Sequence, residues 1–274
     1  MYDIEALKQE QIKENSVIKD LNQNGVLTIT LNRQSRLNSL QIGMYALITN
    51  FLDEANKNPQ IKVVILKGKG KHFCAGNDLQ NFDTITNDKE NQKKSSIFIS
   101  QNILIPFCQA FINLNKPLIA VVQGACIGVA FNLLALCDEV YITSDSFFQA
   151  PLVKLAQGPE MCSSYFFPKI FGYQQAFEII VGAKKLSSSD LEKFKMVNGV
   201  FNTYQEALDV SNRRATQICD QDQESVIEAK KLMRLDRDIL NKTNIDENLN
   251  LQIRWSSDKL IPTIMKFYCG KSRL

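Results

Sequence analysis

Lys116 to Thr143 reads KPLIAVVQGACIGVAFNLLALCDEVYIT, and the order of its segments decides the fold class. Pro117 introduces LIAVV, a short continuous run of mostly branched apolar residues of the kind a fully buried strand requires. Gly124 and Gly128 then punctuate the chain. VAFNLLALCD follows as an apolar segment expected to be a buried helix, and EVYIT reads as a further strand. Strand, glycine turn, helix, strand is the signature of an α/β layer rather than an all-α or all-β domain.

The same order holds upstream. KVVILKGKG (62–70) is another short apolar run closed by glycine. Before it, SLQIGMYALITNFLDEANKN (39–58) places Met44, Ile48, Phe51, Leu52 and Ala55 at helical spacing, with Ser39 as the expected N-cap. SVIKDLNQNGVLTITLNR (16–33) sets two β-rich runs around Asn24-Gly25, the strongest short hairpin signal in the chain. SSIFISQNILIPFCQAFINLN (95–115) reads as one long helix. From about Ser163 the strand patterns nearly vanish and the last third reads as helical. Residues 1–15 are polar and are expected to form a flexible segment or a frayed helix.

Bulk properties narrow the chemistry. The 274 residues are 45% hydrophobic, enough for one large core, and Lys plus Arg (32) barely exceed Asp plus Glu (29). No broad basic field is therefore available for phosphate backbones, which argues against nucleic acid as a partner. The lysine clusters KGKGKH (67–72) and KENQKK (89–94) read as a solvated turn and helix face. Seven cysteines without a C-x-x-C pair sit mostly in apolar surroundings and read as reduced thiols of an intracellular protein. A single histidine, His72, argues against a Ser-His-Asp or Cys-His triad and rules out a multi-histidine metal site. Acid-base work thus falls on carboxylates. No apolar stretch is expected to span a membrane, and the amino terminus lacks the features of a signal or transit peptide. The end Ser272-Arg273-Leu274 is a conservative variant of the S-K-L address read by the peroxisomal import receptor.

Three segments carry candidate chemistry. HFCAGNDLQ (72–80) has a tight turn at Ala75-Gly76 followed by Asn77-Asp78; QGACIGVAFNLLALCD (123–138) starts an apolar helix beside Gly128; LAQGPEMCSSYFFPKIFG (155–172) contains the isolated acid Glu160. Neither glycine segment fits a P-loop or a dinucleotide turn. By itself Glu160 reads most simply as a first-turn helix acid, Asp78 as a cap, His72 as a turn residue, and Ser163-Ser164 as a helix start.

Taken together and in order, with LNRQSRLNSL (31–40) before them and RWSSDKLIPTIMKF (254–267) after, these segments resemble the enoyl-CoA hydratase/isomerase (crotonase) superfamily, and within it the peroxisomal delta-3, delta-2-enoyl-CoA isomerases. The resemblance covers residues 16–274. It implies a crotonase fold, a spiral of β-β-α units over 16–200, followed by a helical trimerisation region over 201–271 and the targeting tripeptide at 272–274. It implies an acyl-CoA thioester as substrate, no metal, no redox cofactor, and a homotrimer or hexamer. The backbone N–H groups of Asn77 and Val129 correspond to the family's oxyanion hole, whose donors are worth about 3 to 4 kcal/mol each when they meet a developing enolate. Ala75, Gly76, Asn77, Asp78, Leu79 and Gly128 would line the thioester and pantetheine, and NRQSRLNSL would help hold the adenine end.

The carboxylates select the reaction. The two glutamates of the family's hydratases correspond here to Asn132 and Leu152, neither able to act as acid or base. The isomerase glutamate corresponds to Glu160, in GPEMC. One carboxylate suffices to take a proton from C2 and return it at C4, so the resemblance implies isomerisation of 3-cis- or 3-trans-enoyl-CoA to 2-trans-enoyl-CoA, with Glu160 as the catalytic residue. Met161, Cys162, Tyr165, Phe166 and Phe167 are expected to form an apolar setting that raises its proton affinity. Met161 stands where the family often has glycine, which bears on acyl-chain preference. Hydration, dienoyl-CoA isomerisation and a non-catalytic acyl-CoA-binding role on the same fold are the alternatives.

Overall fold

A computed structural model describes residues 3–82 and 89–271. Its centre is a six-stranded sheet of β1 (Val17–Leu21), β2 (Val26–Leu31), β3 (Val63–Gly68), β4 (Leu118–Val122), β6 (Glu139–Thr143) and β9 (Gly199–Phe201), in the order β1-β2-β3-β4-β6-β9. Only the β1–β2 hairpin is antiparallel, closing through Asn22–Gly25 as its Asn-Gly signal predicts; every other pairing is parallel. The apolar runs VVIL and LIAVV are buried along their length, as central parallel strands covered on both faces must be. A second sheet of β5 (Ala125–Ile127), β7 (Phe147–Gln149) and β8 (Leu186–Ser187) stands beside it.

Helices cover both faces of the large sheet. On one side lie α2 (Ile42–Lys57), α3 (Lys89–Ile99) and α4 (Ile105–Ile112), the last two joined by a π-helical segment, Ser100–Leu104. On the other, α9 (Tyr204–Cys219) buries Ala207, Ala215, Ile218 and Cys219 with Val63, Ile65, Ile119 and Val121 of the sheet. The α/β unit therefore runs past the boundary expected at residue 200. Short α5 (Val129–Asn132) follows Gly128, and α6 (Ser163–Phe171), α7 (Tyr173–Ile180) and α8 (Ser188–Lys193) lead to β9. The chain ends in α10 (Gln223–Met233), α11 (Arg237–Trp255) and α12 (Leu260–Lys271). Ser272–Leu274, with the expected targeting tripeptide, lies outside the described residues.

Several local expectations change in the structure. The N-terminal segment is not flexible throughout: Ile4–Lys13 forms α1, capped by Asp3, and buries Lys8 and Gln11. It packs on α2 so closely that a Cβ at Gly43 would lie 2.4 Å from the Leu7 carbonyl oxygen. Ser39 is not the cap of α2, which starts at Ile42; its hydroxyl instead donates to Asp78 at 3.2 Å. Residues 90–112 are long and apolar enough to cross a membrane, contrary to the expectation that no stretch is, but half of the most apolar window is buried inside the protein and the helix packs on α2 and α11. It serves as a core helix. The short strands β8 and β9 escape the sequence reading because two or three residues carry no readable period.

Candidate active site

The two glycine turns, about fifty residues apart in sequence, are neighbours in space. Cys74 N–H donates to the Ala125 carbonyl and Ile127 N–H to the Cys74 carbonyl, so segment 74–77 runs parallel to β5. On its other side Leu40 N–H donates to the Gly76 carbonyl and Asp78 N–H to the Leu40 carbonyl. Gly76 sits at φ +92°, and a Cβ there would lie 2.7 Å from the Ile127 carbonyl oxygen, so both conformation and space demand glycine. Gly128, at φ 59° and ψ −126°, turns the chain into α5. The outcome is that the N–H groups of Asn77 and Val129 are left without a backbone or side-chain acceptor among the described residues. Two free amides flanking one turn contact are what an oxyanion site needs.

Side chains fix this backbone. The Asn77 amide oxygen accepts from the Tyr45 hydroxyl at 3.3 Å and from Asn81 Nδ2 at 2.7 Å, while Asn81 Nδ2 also donates to the Leu40 carbonyl. Asp78 caps the short 3-10 turn Leu79–Phe82 through Gln80 N–H and forms a largely buried ion pair with Arg33. Arg33 is thereby committed to the turn, whereas Arg36 is exposed at the mouth of the cleft beside Ser35 and Leu37. His72 is a turn residue, accepting Ala125 N–H on Nδ1 at 3.1 Å, and does not line the cleft.

A cleft of about 510 Å³ opens over these turns. All six expected binding residues, Ala75, Gly76, Asn77, Asp78, Leu79 and Gly128, line it together with Val129, Leu152 and Glu160. Its apolar wall differs from the expected one. Tyr45, Leu104, Leu155, Trp255 and Phe267 form it; Tyr165 and Phe166 do not. Phe167 packs on Phe131 in the core, and Tyr165 is drawn outward to Asp236. Tyr45 is one apolar-stripe neighbour in the sequence of α2, and nothing in that pattern distinguishes it from a core residue.

Glu160 is 8% exposed, in the loop that joins the 3-10 turn Val153–Leu155 to α6. Burial away from water, with Glu247 as a nearby negative charge, pushes its carboxyl up to about 8. Asp78 also lines the cleft but is taken up by Arg33, so Glu160 is the lining carboxyl left for proton transfer among the described residues. Asn132 is fully buried in α5, with both side-chain polar atoms unpaired among the described residues, and Leu152 offers only a hydrocarbon wall. The turn after Glu160 is strained: Met161 (φ 56°) and Cys162 (φ 57°) are consecutive left-handed residues that are not glycine. Such conformations cost on the order of 1–3 kcal/mol each and persist only where neighbours hold them.

Comparison with known proteins places the chain in a family. A family model described as enoyl-CoA hydratase/isomerase matches residues 21–268. Enoyl-CoA delta isomerase 2 of Rattus norvegicus is 30% identical over 262 residues, covering 96% of this chain and 66% of that protein. The peroxisomal enoyl-CoA delta isomerase 3 of Mus musculus is 34% identical over 192 residues, covering 70% of this chain and 59% of that one. The chain thus spans about two thirds or less of the length of these relatives. A crystal structure of an enoyl-CoA hydratase/isomerase from Pseudoalteromonas atlantica superposes with a TM-score of 0.83 at 26% identity, over 93% of this chain and 97% of that one.

Proposed function

This chain belongs to the enoyl-CoA hydratase/isomerase family, and from that premise we propose that it isomerises 3-cis- or 3-trans-enoyl-CoA to 2-trans-enoyl-CoA. The observation that carries this reading is that, among the described residues, Glu160 is the cleft-lining carboxyl not taken up by a cation, Asp78 being paired with Arg33. Asn132 and Leu152 stand where the resemblance puts the two glutamates of the hydratases. The thioester oxygen accepts from the Asn77 and Val129 amides. Ionised Glu160 removes a C2 proton, the charge moves onto that oxygen as a dienolate, and Glu160 returns the proton to C4 as the double bond settles between C2 and C3. The shift is redox-neutral and begins and ends with the same atoms, so it calls on no metal, no redox cofactor and no bound water. A carboxyl with affinity near neutrality is suited to both halves of that transfer.

The names of the relatives, the family's chemistry and the Ser272-Arg273-Leu274 end support beta-oxidation of unsaturated acyl-CoA in peroxisomes, with the import receptor as a partner. Exposed Leu232, Met233 and Ile253 on the C-terminal helices, with Leu235 in the turn between α10 and α11, support a homotrimer or hexamer. The deciding experiment incubates purified protein with a 3-enoyl-CoA and follows the rise of conjugated-thioester absorbance. Isomerisation raises it; a folded protein that binds the thioester and leaves the absorbance flat defeats the reading. Loss of absorbance from a 2-enoyl-CoA would instead mark a hydratase, and a shift of dienoyl absorbance a dienoyl-CoA isomerase.

A further inference from the structure

Glu247 lies on α11, 87 positions after Glu160, and the proton transfer above does not use it. It is 5% exposed. Its two carboxylate oxygens accept three donors from the turn that follows Glu160: Cys162 N–H at 2.7 Å, Ser164 N–H at 2.9 Å and the Ser164 hydroxyl at 2.5 Å. We propose that Glu247 is the positioning residue of Glu160: its carboxylate clamps the left-handed Met161–Cys162 turn onto α11 and so fixes where the Glu160 carboxyl stands over the two amides. This rests on the proposed isomerase reading for its catalytic consequence.

The clamp is well placed for that role. α11 meets the loop at successive turns of one face, with the Trp255 indole N–H donating to Gln157 at 3.3 Å, and with Asn250 so close to Gly158 that a Cβ there would lie 2.5 Å from its amide oxygen. Cys162 also donates its thiol to the Leu240 carbonyl at 3.3 Å. These contacts tether the loop on either side of Glu160, and among the described residues it is Glu247 that accepts an N–H of the strained pair itself, that of Cys162, together with the Ser164 N–H just beyond it. Where glycine would adopt the left-handed conformation without strain, Met161 does so only while held. The same carboxylate places negative charge near Glu160. The other titratable groups around Glu160 are Tyr45 from α2 and Cys108 from α4, both kept protonated by burial, the adjacent Cys162, Asp78 in the same cleft but paired with Arg33, and exposed Arg36. Glu247 is therefore the charge that Glu160 feels.

The test compares wild type with Glu247→Gln, Ser164→Ala, Met161→Gly and the double variant E247Q/M161G. A glutamine presents one amide oxygen and one NH2 group to three donors, so the clamp opens. Glu247→Gln is expected to lower kcat by about tenfold to a hundredfold, with KM changed far less, because misplacing a base by an ångström costs that much. The acid limb of the pH profile is expected to move down by roughly a pH unit as the like charge disappears. In the double variant kcat recovers at least several-fold while the lowered acid limb stays, a split that a merely structural contact would not give. A cooperatively folded Glu247→Gln protein with wild-type kcat and pH profile overturns the proposal. Should that variant not fold, Ser164→Ala decides, a several-fold fall in kcat supporting the clamp and wild-type kcat refuting it. Infrared difference spectra against Glu160→Gln follow the Glu160 carboxyl without turnover. If wild type isomerises nothing, a Glu160 midpoint lowered in Glu247→Gln supports the placement of Glu247 while the function reading falls; an unchanged midpoint overturns it.

Discussion

Glu160 and Glu247 are both buried carboxyls, pressed together where one loop meets α11, and they differ in how their oxygens are matched. Burial pushes the Glu247 carboxyl up as well, but two backbone N–H groups and a hydroxyl, donors that favour its ionised form, offset part of that push. Glu160 receives none of these and faces the cleft, so burial and its neighbour's charge act on it unopposed. The two acids therefore differ in setting, Glu247 held by three donors of the loop and Glu160 open to the cleft. The difference lies in hydrogen-bond supply rather than in depth of burial.

That contrast can be broken experimentally. The largest effect is expected from Glu160→Gln, which keeps the shape and removes the base: kcat for 3-enoyl-CoA falls by about 10²- to 10⁴-fold with thioester binding retained, measured by isomerisation rate and by titration calorimetry. A rate within a few-fold of wild type would move the proton chemistry elsewhere. Next is Gly76→Ala, which tests the amides rather than the acids. Its Cβ would meet the Ile127 carbonyl at 2.7 Å in a left-handed conformation, so the Asn77 N–H must shift, and kcat is expected to drop about 10²-fold or more with Glu160 untouched.

The pH dependence follows in size. Because Glu160 must be ionised to act and its carboxyl is pushed up to about 8, kcat/KM of wild type should rise about tenfold per pH unit below that value and level above it. A profile flat from pH 5.5 to 8 would show Glu160 to be an ordinary carboxylate. The smallest effect is on stability. A carboxyl whose folded affinity is raised binds its proton more tightly in the native than in the unfolded chain, so its contribution is fully present below the ordinary glutamate range near 4.5 and is lost as pH rises to about 8. Glu160→Gln should therefore melt a few degrees above wild type at pH 8, with the gap closing toward pH 4, whereas Glu247→Gln should melt below wild type. Thermal unfolding followed by circular dichroism at both pH values checks the sign.

Much of the scaffold was legible because its signals are local. Asn24-Gly25 specifies a hairpin, the stripe from Met44 to Ala55 specifies the buried face of α2, and VVIL and LIAVV specify central strands. Ser39 misled because a serine before an apolar stripe has the look of a cap, while nearby Arg33 and the sequence-distant Asp78 had a stronger use for it. Tyr165 and Phe166 misled because adjacency in sequence is not adjacency in space on a helix: only every third or fourth residue shares a face. Tyr45, Trp255 and Glu247 gave no signal, since each is an ordinary member of a helix until the loop it touches is known.

The sequence by itself determined the α/β order and the Asn24-Gly25 hairpin, which follow from residue chemistry and short-range sterics and need no partner. Glu160 was singled out only through the family resemblance, with Asn132 and Leu152 where that resemblance puts the glutamates of the hydratases. Only the tertiary structure decided that the two turns share one contact, that Asp78 is occupied by Arg33 while Glu160 is not, and that Met161 holds a glycine's conformation under the grip of Glu247. Hydrogen bonds between residues 85 positions apart leave no period in a sequence; they exist only once the core has brought their elements together.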